Sequence, residues 1–247
     1  MYQDFATNYD EMMGEIPYEE WFSLVKEYLQ KAGIQTGKIC ELGCGTGILT
    51  EKFHQAGYEM IGVDLSAEML MQARDKNPEI FYVQQDMTEL ALGEPMDAMI
   101  SLCDSMNYLT TPEEMARTLQ RVEAQLKPGG LFVFDLKTEY CYRHIIGDRT
   151  MVEEEDHYVS IWENTYFEDE KINQYALTIF QKQPDSELYH RAEEIHHQRA
   201  YSPEEMKELL RQANLTLVEC LGEGMQPLQS EEVERFYIVA RKSEGGM

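Results

Sequence analysis

Glu41, Asp64 and Asp86 are the side chains whose surroundings most plainly suit a ligand, because each stands at the end of a short apolar run, beside a turn. Gly43, Gly45 and Gly47 follow Glu41 at alternate positions, and residues 48–56 read as a helix. Glycine tolerates positive φ and lets backbone approach a ligand closely. The helix start turns its free N–H groups and positive dipole end to the same corner. Together they make a nucleotide-type binding corner. A dinucleotide fingerprint needs a third glycine six positions along, but that position is Ile48, which counts against a nicotinamide-dependent oxidoreductase. Asp64 follows Gly43 by 21 residues, a spacing suited to a carboxylate that accepts both hydroxyls of a ribose. Such charge-assisted bonds contribute about 1.5–3 kcal/mol each. Asp86, flanked by Gln85 and Met87, is placed to accept from an adenine amino group. Asp64 is expected to be dispensable for folding, as a carboxylate facing a cleft.

A sheet must bring these residues to one edge. Apolar runs at 38–42, 59–63, 80–83, 98–102 and 131–136 read as strands, with four further strand–helix units after the glycine loop. Ser66, Thr111-Pro112 with Glu114, and Ser202-Pro203 mark helix starts. Alternating strands and helices predict a parallel sheet with helices on both faces. Its ligands lie outside the carboxyl ends of the strands, where the winding reverses. Lys127-Pro128-Gly129-Gly130 reads as the turn before strand five, and residues 215–220 and 236–240 as the last two strands. The rhythm breaks from Thr150 to Ala200. Alternation at 158–162, 175–180 and 188–201, with turns at 168–171 and 183–186, predicts an antiparallel insertion. Following strand five, it is expected to form a lid over the acceptor half of the cleft, and its aromatic residues to wall a pocket or a homodimer interface. The expected divisions are 1–36 as an N-terminal helical cap, 37–140 with 201–243 as the core, and 141–200 as the insertion.

The 247 residues carry 21 basic and 46 acidic side chains, a formal charge of −25. A surface so negative repels phosphate backbones and anionic lipid, so neither nucleic acid nor membrane is an expected partner. The amino terminus shows no signal-peptide pattern, and a cytoplasmic location is expected. The five cysteines show no C-x-x-C pair and are expected as reduced thiols. No metal is expected: His196 and His197 would face opposite sides of a strand, and only His190 shares parity with His196. The run 153–156, all acidic, reads as a solvated edge.

Glu41-Leu42-Gly43-Cys44-Gly45-Thr46-Gly47 resembles motif I of the class I S-adenosylmethionine-dependent methyltransferases, small-molecule type. Val63-Asp64-Leu65-Ser66 is similar to their ribose motif, and Gln84-Gln85-Asp86-Met87 to their adenine motif. The likeness covers residues 36–136 well. It implies a doubly wound, seven-stranded, mostly parallel sheet of Rossmann-like type with an antiparallel β insertion. It implies S-adenosyl-L-methionine as the cofactor, held by Trp21, Glu41, Gly43, Cys44, Gly45, Gly47, Asp64, Leu65, Met69, Gln85, Asp86, Met87 and Cys103. The implied reaction is methyl transfer to a small-molecule amine, hydroxyl or carboxylate, achieved by positioning and desolvation. No catalytic residue is assigned; Tyr9, Tyr18 and Tyr108 are candidates to orient donor or acceptor. A non-catalytic sensor that binds the same cofactor is the alternative.

Overall fold

The computed structural model describes residue 10, residues 16–183 and residues 186–244; Tyr9 lies outside the described residues. Five α-helices are described: α1 Tyr18–Lys31, α2 Ile48–Gln55, α3 Ala67–Lys76, α4 Pro112–Gln125 and α5 Pro203–Gln212. The strands are β1 Lys38–Leu42, β2 Glu59–Asp64, β3 Phe81–Gln84, β4 Met96–Ser101, β5 Leu126–Lys137, β6 Thr150–Glu154, β7 Tyr158–Phe167, β8 Ile172–Lys182, β9 Tyr189–Arg199, β10 Leu215–Leu221 and β11 Arg235–Lys242. None of the described helices is long and apolar enough to cross a membrane.

The main sheet has seven strands in the order β10-β11-β5-β4-β1-β2-β3. β11 alone runs against its neighbours, pairing antiparallel with both β5 and β10. The chain winds outward from β1 through β2 and β3, then returns to build β4 and β5 on the other side. The reversal therefore falls between β1 and β4, and their carboxyl ends open a crevice there.

Strand alternation divides the core between the two faces of the sheet. Cys40, Leu42, Phe132, Phe134, Phe236 and Ile238 pack with Leu119 of α4 and Leu210 of α5. Ile39, Val133 and Val239 point the other way, onto Val25 of α1, Phe53 of α2 and Leu70 of α3. Burial of each such side chain contributes about 1.5–3 kcal/mol. The predicted caps all form. Ser66 Oγ accepts the Met69 amide, Ser202 Oγ accepts the Glu205 amide, and Thr111 and Glu114 make a reciprocal capping box. Each cap satisfies amides that the helix cannot and contributes about 1 kcal/mol.

Three local features differ from the sequence expectation. No α-helix joins β3 to β4, only a 3-10 turn at Met87–Glu89; Gly93 and Pro95 leave the segment no room for a stable helix. Residues 127–130 are not a free turn but a bulge within β5, where the register against β4 shifts between Met96 and Ala98. The insertion, entered through a π-helical turn at Cys141–Ile146, is a four-stranded antiparallel sheet in the order β6-β7-β8-β9. Its outer strand β6 was hidden by acidic residues that mask apolar alternation, and Glu154, Glu155 and Asp156 are exposed there.

Candidate functional site

The glycine loop leaves β1 with Gly43, Gly45 and Gly47 all at positive φ. At Gly43 the demand is steric as well: a Cβ would stand 2.5 Å from Cβ and Oγ of Ser105. Asp64, at the end of β2, holds the loop in shape. One of its oxygens accepts the Gly45 amide at 2.8 Å and the other accepts the Ser66 amide at 2.8 Å. Burial raises the Asp64 pKa, and these amides work against that rise. Asp10 reaches over the same loop, accepting from the Thr46 hydroxyl and the Lys76 ammonium.

A cavity of about 500 Å³ opens beside this loop. Of the residues singled out in the sequence, Gly43, Gly45, Asp64, Leu65, Met69, Gln85, Asp86, Met87, Cys103 and Tyr108 all line it. Asp86 is held by accepting the Thr88 amide at 2.8 Å. The Gln85 side chain is spent on structure: it donates to the Ala91 carbonyl at 3.1 Å and accepts the Ala91 amide at 2.9 Å.

The other candidates lie elsewhere. Trp21 is 1 % exposed within the core, where its indole N–H donates to the Tyr237 hydroxyl at 3.0 Å. Gly47 caps α2, packed against the Tyr82 side chain. Glu41, Cys44 and Tyr18 border a chamber of only about 20 Å³ on the other side of the loop. Glu41 is buried and accepts from Thr50, and burial pushes its carboxyl up to about 8. Burial likewise raises the Tyr18 hydroxyl far above its ordinary value.

The insertion supplies the opposite wall: Trp162 from β7, Tyr175 from β8, and His196 and Gln198 from β9. His196 is buried and His197 exposed, as their alternation predicts. His196 Nε2 lies 3.3 Å from a Glu194 oxygen, and its ring meets Tyr108 edge-on at 6.0 Å. Among the described residues no cluster of His, Cys, Asp or Glu is arranged to hold a metal.

Sequence reasoning missed the charged cluster at the floor of the cavity. Asp104 accepts from Arg235 at 3.0 Å, Lys137 at 3.2 Å and Gln198 at 2.7 Å. Asp135, fully buried, accepts from Arg235 and from the Asp104 amide. Burial alone would raise the Asp104 carboxyl, but the Lys137 and Arg235 cations overcome it and hold the pKa low. Cys103 and Asp104 both adopt positive φ, a strained conformation for non-glycine residues that a surrounding network must pin. The available signal was Asp135, a charge inside an apolar strand, which a fold tolerates only when the charge is paired.

The family model for the methyltransferase domain matches residues 39–130. The chain is 32 % identical over 247 residues to YqeM of Bacillus subtilis strain 168, whose name assigns it to the methyltransferases; 98 % of each chain is covered. It resembles the crystal structure of an S-adenosylmethionine-dependent methyltransferase from Clostridium acetobutylicum ATCC 824, with a TM-score of 0.86 and 25 % identity over 98 % of this chain and 99 % of that one. It is also 32 % identical over 101 residues to a dTDP-3-amino-3,4,6-trideoxy-alpha-D-glucopyranose N,N-dimethyltransferase of Streptomyces venezuelae, covering 41 % of this chain and 43 % of that one. A glycine loop at the switch point, carboxylates at the ends of the next two strands and relatives matched along the whole length give one conclusion: the chain belongs to the class I S-adenosylmethionine-dependent methyltransferases.

Proposed function

We propose that this protein transfers the methyl group of S-adenosylmethionine to the nitrogen of a small-molecule acceptor. The observation that carries the reading is one cavity with two unlike ends: loop and carboxylates at one, and rings from the insertion sheet at the other. The donor end suits the donor's chemistry. The Asp64 oxygens each accept one amide and keep lone pairs for ribose hydroxyls. Asp86 spends one oxygen on Thr88 and keeps the other for an adenine amino group. Leu65, Met69 and Met87 offer apolar surface for the base.

When bound, the donor supplies a methyl group on a sulfonium. The chain's part is to orient donor and acceptor and to exclude water, and alignment alone is equivalent to roughly 10⁵–10⁸ M of reactant. Burial raises the hydroxyl of Tyr175 on the acceptor wall, against the lowering effect of the nearby Lys137 ammonium. His196, beside Glu194, stands on the same wall. The likeness to a sugar N,N-dimethyltransferase supports nitrogen over oxygen as the nucleophile. A homodimer through the outward face of the insertion, where Val152 and Ile195 are exposed, belongs to the same reading.

The test is transfer of labelled methyl into a panel of amines, alcohols and carboxylates, with calorimetry for S-adenosylhomocysteine and NADH. N-methyl product and S-adenosylhomocysteine binding are expected. Binding of NADH without S-adenosylhomocysteine would sink the reading. Tight S-adenosylhomocysteine binding with no transfer to any acceptor favours the sensor instead.

A further inference from the structure

The segment that follows β4 is shared between the two ends of the cavity, which Cys103, Asp104, Ser105, Tyr108 and Leu109 all line. On one side it meets the glycine loop. Ser105 Oγ donates to the Gly43 carbonyl at 3.3 Å, and the Ser105 side chain fills the space that a Cβ on Gly43 would need. On the other side it meets the insertion. Gln198 of β9 donates to Asp104 at 2.7 Å, and the hydroxyl of Tyr201, just past β9, donates to the Leu109 and Thr111 carbonyls.

Asn107 lies behind this wall, fully buried, in the same 3-10 turn as Ser105. Its Nδ2 donates to the Arg199 carbonyl at the end of β9, at 2.9 Å, and to the Lys137 carbonyl at the end of β5, at 3.1 Å. Its Oδ1 accepts the Lys137 amide at 3.0 Å. An amide supplies both donors and the acceptor, which neither a hydroxyl nor an ionised carboxylate does. One side chain thus fastens the last residue of a strand in each sheet to the turn that touches the glycine loop. The backbone leading into that turn is strained, with Cys103 at φ 64° and Asp104 at φ 52°, a conformation that persists only where its surroundings over-determine it. The main sheet supplies part of that restraint, because Asp135 accepts the Asp104 amide at 3.1 Å, and the insertion supplies part through Gln198. Both ends of the cavity therefore bias one strained element.

Resting on the methyl-transfer reading above, we infer that Asn107 is a positioning residue that passes the seating of the donor on to β9. A donor held on the glycine loop presses on Ser105, the turn stiffens, and Asn107 carries that restraint to the strand bearing His196 and Gln198. The acceptor wall is then tightest once the donor is in place, which favours binding of the donor first. Alignment of two reactants is lost through small displacements, so a wall set by the donor itself keeps the two in register.

The experiment is hydrogen–deuterium exchange of the full chain with and without saturating S-adenosylhomocysteine, on the natural protein and on Asn107→Ala, with calorimetry for each affinity. In the natural protein the ligand is expected to slow exchange about tenfold in the glycine loop and in β9 alike, an ordinary strength of coupling between sites. In Asn107→Ala the glycine loop is expected to keep its gain while that of β9 falls below about twofold. Affinity for S-adenosylhomocysteine is expected to fall by no more than about tenfold, the ceiling that reciprocity sets. A purely structural role would speed exchange of β9 in both states and leave the ligand-induced gain intact. Asn107→Asp, of the same size and still able to accept the Lys137 amide, serves if Asn107→Ala does not fold; ionised, it donates to neither carbonyl and is expected to lose the same gain. Retention of the β9 gain in the variant, or protection confined to the glycine loop in the natural protein, would overturn the inference. Failure of S-adenosylhomocysteine to bind the natural protein would instead remove the methyl-transfer reading beneath it.

Discussion

Asp64 has two tasks that one substitution separates poorly. It is expected to hold the ribose, and it also ties the amides of Gly45 and Ser66, so its removal is expected to cost some stability as well as affinity. Asp64→Ala is expected to weaken S-adenosylhomocysteine binding by about 2–3 kcal/mol, roughly thirty- to a hundredfold. It should also cost about 1–2 kcal/mol of stability for the orphaned amides. Calorimetry and urea unfolding measure the two losses; unchanged affinity would mean that the ribose lies elsewhere. Glu41 makes a prediction with a sign. Its folded-state pKa of about 8 stands above the ordinary 4.5, so folding favours the protonated form. The stability this gives is full below pH 4.5 and is lost as pH rises through 8. Glu41→Gln, neutral at every pH, is therefore expected to gain on the natural protein by about 3 kcal/mol between pH 5.5 and 8.5. Urea unfolding at both pH values checks it, and parallel stability curves would refute it.

The glycine loop is an element defined by what cannot be added to it. Gly43 sits at φ 67°, with Ser105 where its Cβ would be. Gly43→Ala carries a conformational cost and a packing cost, together about 2–4 kcal/mol. The two are separable. Ser105→Gly removes the clashing Cβ, so the double variant should recover the packing part and leave only the cost of the positive φ. A double-mutant cycle by thermal unfolding reads this; strict additivity would show that the loop relaxes away from Ser105. The element thus determines the residue: β1 must end where β4's following loop passes, and only a hydrogen fits between them.

In the whole molecule, two sheets share one cavity. The seven-stranded sheet offers the glycine loop and carboxylates at one end, and the insertion sheet offers rings at the other. The Asp104 cluster joins them, because Gln198 of β9 donates to Asp104 at 2.7 Å and accepts from Tyr142 at 3.0 Å. Trp162→Ala is expected to raise KM for the acceptor at least about tenfold while S-adenosylhomocysteine affinity stays within about twofold, since ring contacts of this kind are worth about 1–2 kcal/mol. A variant that instead lost donor affinity would show that the insertion serves the donor.

The sequence by itself determined whatever depends on neighbours along the chain. Turn glycines, capping pairs at Ser66, Thr111 and Ser202, and the change from strand–helix alternation to plain strand alternation at Thr150 are short-range signals, and each marks a real element. The first and last residues of strands also fixed which carboxylates reach the sheet's edge. Which way those carboxylates then face was left to tertiary structure. Glu41 and Asp64 end adjacent strands, yet one turns beneath the loop and the other lines the cavity, because sheet twist and helix packing set their aspect. Asp104, Asp135, Lys137 and Arg235 come from three separate stretches of chain, and no local pattern pairs them. Only when β11 is laid beside β5 does Arg235 meet Lys137 across the register, and the burial that follows forces each charge to find its partner.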